Sequence, residues 1–269
     1  MLPFTIIQIQ DKTSHMKPAA LMKYWAEYSP AKVNMTIHPD DVMYNSAQKP
    51  EHYAYCGESG IEVISAALLA GPTTHVGHVL DFSCGYGRVG RYIRALFPIA
   101  QITFSEVEAE AADFCASQFY GKALVTPKDV NAVELPEKYD VIWLGSVFTH
   151  MDYDRIKILF GKLFNALTPN GVIIGTFRGE KMYRSYQVSP EAAARDADLI
   201  REFEKSGAAY RRYPGWSDDW GLSLVHPAKL IEMGKEHPDA RLIMYSEVGW
   251  ASAHDAVAWT NTSPRTIIR

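Results

Sequence analysis

The central part of the chain alternates short apolar runs with amphipathic segments. Five apolar runs have the length and composition of β-strands: 76–82, 101–105, 123–126, 139–144 and 172–177. Apolar residues with helical spacing follow the first and the fourth of these runs: Val89, Tyr92, Ile93, Leu96 and Phe97, then Ile156, Leu159, Phe160, Leu163 and Leu167. Because strands and helices alternate, the pattern predicts an α/β fold in which a parallel sheet has helices on both faces.

The rest of the chain departs from this alternation. Residues 1–56 are interrupted by prolines and rich in aromatic side chains, and we interpret them as an N-terminal helical extension or cap on a domain spanning 57–269. A helix is predicted near 61–69. Residues 178–240 form an insertion after the fifth strand, with a helix over 190–205 and another that begins at Pro227. Strands at 241–247 and 255–260 complete the predicted sheet.

The turn after the first strand is the best candidate for a ligand site. Gly85 and Gly87 allow a tight turn and a close approach of a ligand to the backbone. An acidic residue, Glu106, stands just past the second strand, as in folds that bind an adenosine-bearing cofactor. With Gly90, the two glycines also satisfy the G-x-G-x-x-G spacing of dinucleotide sites. A nicotinamide cofactor is therefore an alternative at this point.

Four segments in order resemble class I S-adenosylmethionine-dependent methyltransferases, and in particular a bacterial group with SVFTH after the fourth strand. The segments are VLDFSCGYGRVGRYI, FSEVEAEAADFC, LPEKYDVIWLGSVFTHM and LTPNGVIIGTF. Ser83 departs from the pattern, since many relatives have glycine there. The resemblance covers about residues 50–260. It implies a Rossmann-like sheet of seven strands, parallel except for one, with the last strand between the fifth and the sixth, and S-adenosylmethionine as cofactor.

The resemblance also implies roles for residues at the strand ends. Asp81 would hold the methionine ammonium of the cofactor, Glu106 its ribose hydroxyls, and Asp129 with Val130 its adenine. The rest of the implied cofactor set is Tyr53, Ser83, Cys84, Gly85, Gly87, Arg88, Val107, Gly145 and Ser146. Ordinary structural roles remain as alternatives. Asp81 suits a helix cap, Glu106 a solvated position at a helix start, and Arg88 a helix surface.

His150, just past the fourth strand, is the first candidate for a general base or for a group that orients the acceptor. Asp152 is its candidate neighbour. Alternatively, His150 braces the next helix and Asp152 caps it. The candidates for contacts with the substrate are Tyr55, Trp216, Asp219, Trp220 and His226. Aromatic faces near carboxylates suit a sugar or an amine, and they suit a packed loop equally well.

Composition excludes several classes of function. The chain has 269 residues and a formal net charge of −4, without the basic excess that nucleic-acid binding requires. Three cysteines, Cys56, Cys84 and Cys115, do not form a disulfide framework, which favours a reducing cytoplasm. We expect no signal peptide and no membrane partner. His75 and His78 lack further ligands at suitable spacing, so no metal site is predicted. A homodimer is carried as a hypothesis.

The function that follows is methyl transfer from S-adenosylmethionine to a small-molecule or glycan acceptor, with oxygen favoured as the acceptor atom. Two alternatives remain open at this point. One is an NAD(P)-dependent oxidoreductase, and the other is a binding module for S-adenosylmethionine without catalytic activity.

Overall fold

The computed structural model describes residues 28–29, 32–46, 50–215 and 220–262. Its helices are α1 (Val42–Ser46), α2 (Pro50–Ala70), α3 (Gly90–Leu96), α4 (Ala109–Gln118), α5 (Tyr153–Asn165), α6 (Glu180–Gln187), α7 (Pro190–Arg195), α8 (Ala197–Ser206) and α9 (Pro227–Lys235). Its strands are β1 (His78–Phe82), β2 (Gln101–Glu106), β3 (Lys122–Val125), β4 (Tyr139–Leu144), β5 (Leu167–Phe177), β6 (Ala208–Arg212), β7 (Gly221–Val225), β8 (Ala240–Trp250) and β9 (His254–Asn261). Short 3₁₀ turns cover Val130–Ala132 and Phe148–His150.

Seven of the strands form one sheet in the order β3-β2-β1-β4-β5-β9-β8. The strands β1 to β5 pair in parallel with their neighbours. Strand β9 lies between β5 and β8 and runs antiparallel to both. The predicted α/β architecture is confirmed: a seven-stranded sheet, parallel except for one strand, with the last strand inserted between the fifth and the next strand of the sheet.

Both faces of the sheet are covered, which explains the nearly continuous apolar composition of its strands. In β4, Val141 and Trp143 pack with residues of α2 and α3, whereas Ile142 and Leu144 pack on the other face with residues of α5. All four side chains are at most 1% exposed. Burial of an apolar side chain of this size stabilises the fold by about 1.5–3 kcal/mol. A strand covered on both faces has no polar side, so strict alternation is absent from its sequence.

The helices differ from the predicted ones at two places. The helix predicted near 61–69 begins at Pro50, because α2 continues without interruption through positions 56 and 57. The proposed division between a cap and a domain therefore falls inside a helix, and that division stays a prediction. The helix predicted over 190–205 is two helices, α7 and α8, which meet at Asp196. Asp196 is buried and accepts hydrogen bonds from Arg195 and Arg211.

The insertion after β5 contains a feature that the sequence pattern does not predict. Strands β6 and β7 pair as an antiparallel two-stranded sheet. This hairpin packs with α6 and α8 around a small core of its own, which includes Tyr186, Leu199, Phe203 and Leu224. The β6 segment carries two arginines and lacks clear alternation, so it is not recognised as a strand. Among the helices of the described residues, none is long and apolar enough to cross a bilayer.

Candidate functional site

A cleft opens at the carboxyl ends of β1, β2 and β4. It consists of an inner cavity of about 240 Å³ and an outer cavity of about 300 Å³. Ser83, Val107 and Trp220 line both cavities, so the two adjoin. Strand β1 has β2 on one side and β4 on the other, so the chain order reverses beside it. Ligands of open α/β sheets bind at such a reversal.

The turn between β1 and α3 brings backbone to the inner cavity. Ser83, Gly85 and Gly87 have positive φ angles of 55°, 52° and 78°. A Cβ added to Gly85 would meet no atom within 4 Å, whereas one on Gly87 would lie 2.3 Å from the ring of Phe119. The two glycines therefore serve different purposes. Gly85 leaves space at the cavity, and Gly87 is required by packing beneath the turn.

Asp81, near the end of β1, lines the inner cavity with an unsatisfied carboxyl group. The side chain is buried, and its Oδ2 has no hydrogen-bond partner among the described residues. Burial, with a smaller contribution from Glu106, raises the pKa of Asp81 to about 8. The N-cap residue of α3 is Val89, without a side-chain cap, so Asp81 does not occupy that position. Because a buried polar group without a partner is costly, a cationic ligand in this cavity would compensate it.

Glu106, at the end of β2, also lines the inner cavity. Its Oε2 accepts a hydrogen bond from Gly85 N at 2.8 Å, and its Oε1 accepts one from Val107 N at 2.8 Å. Burial raises the pKa of Glu106, and the two backbone hydrogen bonds oppose that effect. Each carboxylate oxygen retains a second lone pair. The side chain is thus held in one orientation with two acceptor positions left for hydroxyl donors.

Asp129 and Val130 follow β3, as the sequence predicts, and both line the outer cavity. Asp129 Oδ1 accepts hydrogen bonds from the backbone and side-chain nitrogens of Asn131, each at 2.9 Å. These bonds hold the pKa of Asp129 below its usual value. Val130, Met151 and Leu159 supply apolar walls. Lys128 and Arg155 also line this cavity. A flat heterocycle that carries an amino group would find apolar walls here and an acceptor in the carboxylate of Asp129.

Gly145 and Ser146, after β4, form part of the inner cavity. Ser146 has a φ of 64°, and its backbone nitrogen donates to Thr176 Oγ1 at 2.7 Å, which fixes this turn to β5. Arg88 lines the same cavity, with its guanidinium 5.4 Å from the ring centre of Trp250. Arg88 therefore lies at the cleft rather than on an outer helix surface.

Cys84 also lines the inner cavity, as predicted. It is buried beside Cys115, and both thiols contact the carbonyl oxygen of Gly85 at 3.3 Å. Burial raises the pKa of the Cys84 thiol well above its usual value. The residue thus packs beneath the turn as a neutral thiol.

Two residues predicted to bind the cofactor lie away from the cavity surface. Gly87 packs against Phe119, and Tyr53 is fully buried in α2. The hydroxyl of Tyr53 donates to Asp41 Oδ2 at 2.7 Å and accepts from Arg91 at 3.1 Å. Tyr53 thus acts on the cleft through Asp41, which does line the inner cavity.

Sequence reasoning missed the part of the cleft that comes from the N-terminal segment. Asp41 and Met43 line the inner cavity. Asp41 is buried and caps α1, because its Oδ1 accepts from Met43 N at 3.0 Å and Tyr44 N at 3.1 Å. Arg91 Nη1 donates to the carbonyls of Asn34 and Thr36, which ties the segment to the turn. A signal existed, since an aspartate after Pro39 suits a helix start.

His150 lies in the inner cavity with one ring nitrogen already engaged. Its Nδ1 is 3.0 Å from the carbonyl oxygen of Gly221 and 3.2 Å from the hydroxyl of Tyr213. A carbonyl can only accept, so Nδ1 carries the proton and Nε2 is the basic nitrogen. Burial, helped by the charge of Arg178, lowers the pKa of His150 to about 4. The centre of the His150 ring also lies 5.1 Å from that of Trp220, so the imidazole has ring contacts as well as hydrogen bonds. Because its pKa is lowered, His150 is a neutral, oriented hydrogen-bond acceptor near pH 7.

Asp152 does not approach His150 as a catalytic partner. Its carboxylate caps α5 by accepting a hydrogen bond from Arg155 N at 3.0 Å, as in the alternative in which Asp152 serves only as a helix cap. Tyr55 is an exposed residue of α2 whose hydroxyl bonds to Ser252 Oγ at 2.6 Å. His226 caps α9 through Nδ1 and contacts Glu180 through Nε2 at 3.2 Å. None of these three side chains lines either cavity.

The remaining substrate candidates lie on the segment between β6 and β7. Trp220 lines both cavities, as expected for a residue that covers a substrate. Trp216 and Asp219 lie outside the described residues.

Within the part of the chain that the structure describes, His38, Asp40 and Glu110 form the one group with metal-ligand spacing. His38 Nε2 is 3.5 Å from Glu110 Oε1, and the imidazole stacks on Tyr86 with ring centres 4.4 Å apart. The two acids are exposed. The ring is therefore already held by aromatic stacking, and the absence of a metal site stays a prediction.

Comparison with known proteins agrees with this geometry. Residues 80–173, which contain the glycine turn and the SVFTH segment, match a family model described as a methyltransferase domain. A search of curated proteins finds no match.

Solved structures share the fold at low sequence identity. A Leishmania major S-adenosylmethionine-dependent methyltransferase is 15% identical, with a TM-score of 0.53 over 91% of this chain and 82% of that one. Streptomyces venezuelae DesVI is 13% identical, with a TM-score of 0.51 over 86% of this chain and 100% of its own. The N-methyltransferase NodS of Bradyrhizobium japonicum, solved with S-adenosylhomocysteine, is 13% identical, with a TM-score of 0.50 over 91% and 99%.

The family match, the sheet order and the cleft agree on one class of protein. The matched segment spans β1 to the middle of β5 and therefore includes most of the strand ends that line the cleft. The nicotinamide alternative, which rested on the spacing of Gly85, Gly87 and Gly90 alone, is not supported by the comparisons. Residues 80–173 thus match a methyltransferase domain, and the chain has the fold of solved S-adenosylmethionine-dependent methyltransferases.

Proposed function

We propose that this protein transfers a methyl group from S-adenosylmethionine to a small-molecule or glycan acceptor, with an oxygen atom as the favoured nucleophile. The single observation that carries the proposal is the buried carboxyl of Asp81 at the inner cavity, with its Oδ2 unsatisfied. A cation would stabilise the ionised form of this buried carboxyl, and the cofactor brings an ammonium and a sulfonium. The orphaned oxygen and the open space at Gly85 fit such a ligand.

The cleft offers a distinct group of residues for each part of the cofactor. Asp81 would bind the ammonium and Arg88 the carboxylate. Glu106, held by two backbone hydrogen bonds, would accept from the ribose hydroxyls. Asp129 and Val130 would bind the adenine in the outer cavity.

The charge of the inner cavity supports the same assignment. Three acids line it: Asp41, Asp81 and Glu106. When bound, S-adenosylmethionine supplies an electrophilic methyl group on a positively charged sulfur. Carboxylates nearby favour that cation over the uncharged thioether product. The acidic lining thus favours binding of the donor and release of the product.

His150 would orient the acceptor. Its Nδ1 proton is committed to Gly221 O, so Nε2 can accept a hydrogen bond from an acceptor hydroxyl. With a pKa of about 4, the ring is a weak base that directs a lone pair of the acceptor oxygen toward the methyl group. The acceptor oxygen would take the methyl group as the donor's carbon–sulfur bond breaks, and His150 Nε2 would pass the hydroxyl proton to solvent. Alignment of this kind contributes much of the rate of such displacements.

Calorimetric titration with S-adenosylmethionine, S-adenosylhomocysteine and NAD tests the cofactor assignment. We expect the first two ligands to bind and NAD not to bind. Binding of NAD without binding of S-adenosylhomocysteine would refute the proposal.

A transfer screen tests the reaction. Release of S-adenosylhomocysteine is measured with phenols, sugars, carboxylic acids and amines as acceptors. Amines belong in the panel because one structural neighbour, NodS, is an N-methyltransferase. Oxygen acceptors should give the fastest turnover. Binding of the cofactor without turnover on any acceptor would instead favour the non-catalytic module.

Two substitutions at His150 separate orientation from packing. In His150→Asn the amide can keep the hydrogen bond to Gly221 O but lacks the equivalent of Nε2. His150→Gln places an amide near the Nε2 position. We expect kcat to fall at least about tenfold in His150→Asn and less in His150→Gln, with the Kd for S-adenosylhomocysteine unchanged. His237→Asn is the matched control, because His237 packs on Phe160 and Phe164 away from the cleft.

A further inference from the structure

The N-terminal segment, described over residues 32–46, adds an acid to the inner cavity to which no group of the cofactor has been assigned. Asp41 lines that cavity together with Met43, although both residues precede every strand of the sheet in the chain. The side chain of Asp41 is buried, with 2% of the residue exposed. The cavity wall thus includes a buried carboxylate that comes from outside the strand ends.

Hydrogen bonds from neutral donors hold the Asp41 carboxylate in place. Its Oδ1 accepts from two backbone N–H groups of α1, at 3.0 and 3.1 Å, and its Oδ2 accepts from the Tyr53 hydroxyl at 2.7 Å. Arg91 Nη2 donates to the same hydroxyl at 3.1 Å. Arg91 also donates through Nε to Gly87 O at 2.9 Å. The carboxylate is therefore fixed relative to the glycine turn through Tyr53 and Arg91.

Further contacts fix the whole segment to the turn. The His38 ring stacks on that of Tyr86, with ring centres 4.4 Å apart and planes 9° from parallel. Tyr86 belongs to the turn and lines the inner cavity. Asn34 Nδ2 donates to Gln118 O at 3.0 Å, and Arg91 Nη1 donates to Asn34 O at 3.2 Å. The charge of Asp41 is thus already at the cavity wall before any ligand binds.

The other two acids of the cavity face groups that the methyl donor and its product share. In the proposed binding mode, Asp81 binds the ammonium and Glu106 the ribose hydroxyls. S-adenosylmethionine and S-adenosylhomocysteine both carry these groups, so neither contact distinguishes the two ligands. The donor differs by a methyl group and a positive charge on sulfur. That sulfur lies between the ammonium end and the ribose of the ligand, and therefore in the cavity that Asp41 lines.

We propose that Asp41 raises the affinity of the site for the sulfonium of the donor relative to the thioether of the product. This inference rests on the proposed function and assigns the discrimination between donor and product to one acid of the N-terminal segment. Opposite unit charges up to about 8 Å apart inside a protein attract each other enough to change an affinity by about tenfold, so no direct contact with sulfur is required. Methyl transfer removes the charge, and the product loses this attraction.

Three ligands test this role by calorimetry on the full-length protein. They are S-adenosylmethionine, S-adenosylhomocysteine and sinefungin, in which a protonated amine takes the place of the sulfonium. All three carry the same ammonium, so the ionisation of Asp81 cancels when their affinities are compared. The quantity measured is the affinity for each cation divided by the affinity for S-adenosylhomocysteine.

Variants locate the source of this ratio. Asp41→Asn should lower it about tenfold for both cations, because the charge is removed while asparagine can still cap α1. Asp41→Ser, another residue that caps helices, gives the same test if Asp41→Asn does not fold. Tyr53→Phe removes the hydrogen bond to Oδ2 but keeps the charge, so the ratio should stay within twofold of the parent. Asp40→Asn is the matched control, because the Asp40 side chain is 73% exposed, and it should also stay within twofold.

The outcomes separate this role from the proposed function. If the Asp41 variants keep the ratio of the parent, or if Tyr53→Phe or Asp40→Asn lowers it equally, the role of Asp41 is wrong and the methyltransferase assignment stands. A ratio that falls for S-adenosylmethionine but not for sinefungin would attribute the effect to the methyl group rather than to charge, which also overturns the inference. If the parent binds neither S-adenosylmethionine nor S-adenosylhomocysteine, the proposed function itself is refuted.

Discussion

The buried carboxyl of Asp81 should make cofactor binding depend on pH in a way that can be calculated. With a pKa of about 8 in the free protein, Asp81 is mostly protonated at pH 7. An ammonium ligand requires the ionised form, so binding must release a proton. Each pH unit below the pKa then costs about 1.4 kcal/mol, which is about tenfold in affinity. We expect the affinity for S-adenosylhomocysteine to rise about tenfold from pH 6 to pH 7 and more slowly toward pH 8.

Calorimetry at these three pH values measures the affinity directly. Repetition in buffers of different ionisation enthalpy counts the protons released, and we expect close to one proton at pH 7. Asp81→Asn should abolish both the pH dependence and the proton release. It should also weaken binding at pH 8 by about 10- to 150-fold, because a hydrogen bond to a charged group contributes about 1.5–3 kcal/mol. Asp129→Asn is the control in the same cleft, since Asp129 has a lowered pKa and stays ionised throughout.

The free energy of unfolding provides an independent check, because it should fall as pH rises, whereas the affinity for the cofactor should increase. The pKa of Asp81 is raised in the folded state, so the unfolded chain loses this proton at lower pH than the folded protein does. The free energy of unfolding therefore falls between the ordinary pKa of an aspartate and about pH 8. Asp81→Asn should be more stable than the parent at pH 8, by about 1 kcal/mol or more. An affinity that does not change with pH, or an Asp81→Asn variant that binds like the parent, would refute this reasoning.

Three further predictions concern other parts of the fold. Gly87→Ala should lower the Tm sharply, because the new Cβ would lie 2.3 Å from Phe119 at a φ of 78°, which costs about 2–4 kcal/mol of stability. Gly85→Ala should cost only about 1 kcal/mol of stability but weaken cofactor binding more than Gly87→Ala does, since its Cβ enters open space at the cavity. Asp152→Ala should lose about 0.5–2 kcal/mol of stability by denaturant unfolding while kcat stays unchanged, and a large fall in kcat would restore the catalytic hypothesis. The pKa values of His254 and His150 are lowered to about 3 and about 4, so each should make stability fall as pH decreases below 6.5. In acid titrations followed by circular dichroism, His254→Asn should remove its own share of that slope, roughly 1 kcal/mol per pH unit.

The fold could be predicted because its signals are local and repeated. Strand β4 is apolar from Val141 to its end, since Val141 and Ile142 pack on opposite faces, and the sequence pattern reflects that burial directly. The positions of Asp81 and Glu106 in the cleft could also be predicted, because Asp81 lies next to the end of β1 and Glu106 ends β2. A polar residue at the end of such a strand has few places to lie other than the ligand edge of the sheet.

The parts that could not be predicted depend on contacts between distant segments. Asp41 reaches the cleft because Arg91 binds the carbonyls of Asn34 and Thr36, and no local pattern encodes those bonds. The hydrogen bond of Tyr53 to Asp41, twelve residues away, could not be predicted for the same reason, and the contact of Tyr53 with the cofactor stays a prediction.

The position of β9 has a consequence for how the chain reaches its native state. Strand β9 is the sixth of the seven strands across the sheet, is buried along most of its length, and pairs with β5 on one side and with the edge strand β8 on the other. A ribosome delivers β1 to β5 well before it delivers β9, so a nascent five-stranded sheet shows the bare edge of β5 during that interval. Such an edge is a template for pairing with another chain. Escape from aggregation therefore depends on how quickly the insertion is translated, and slow codons between β5 and β9 should lower the soluble yield.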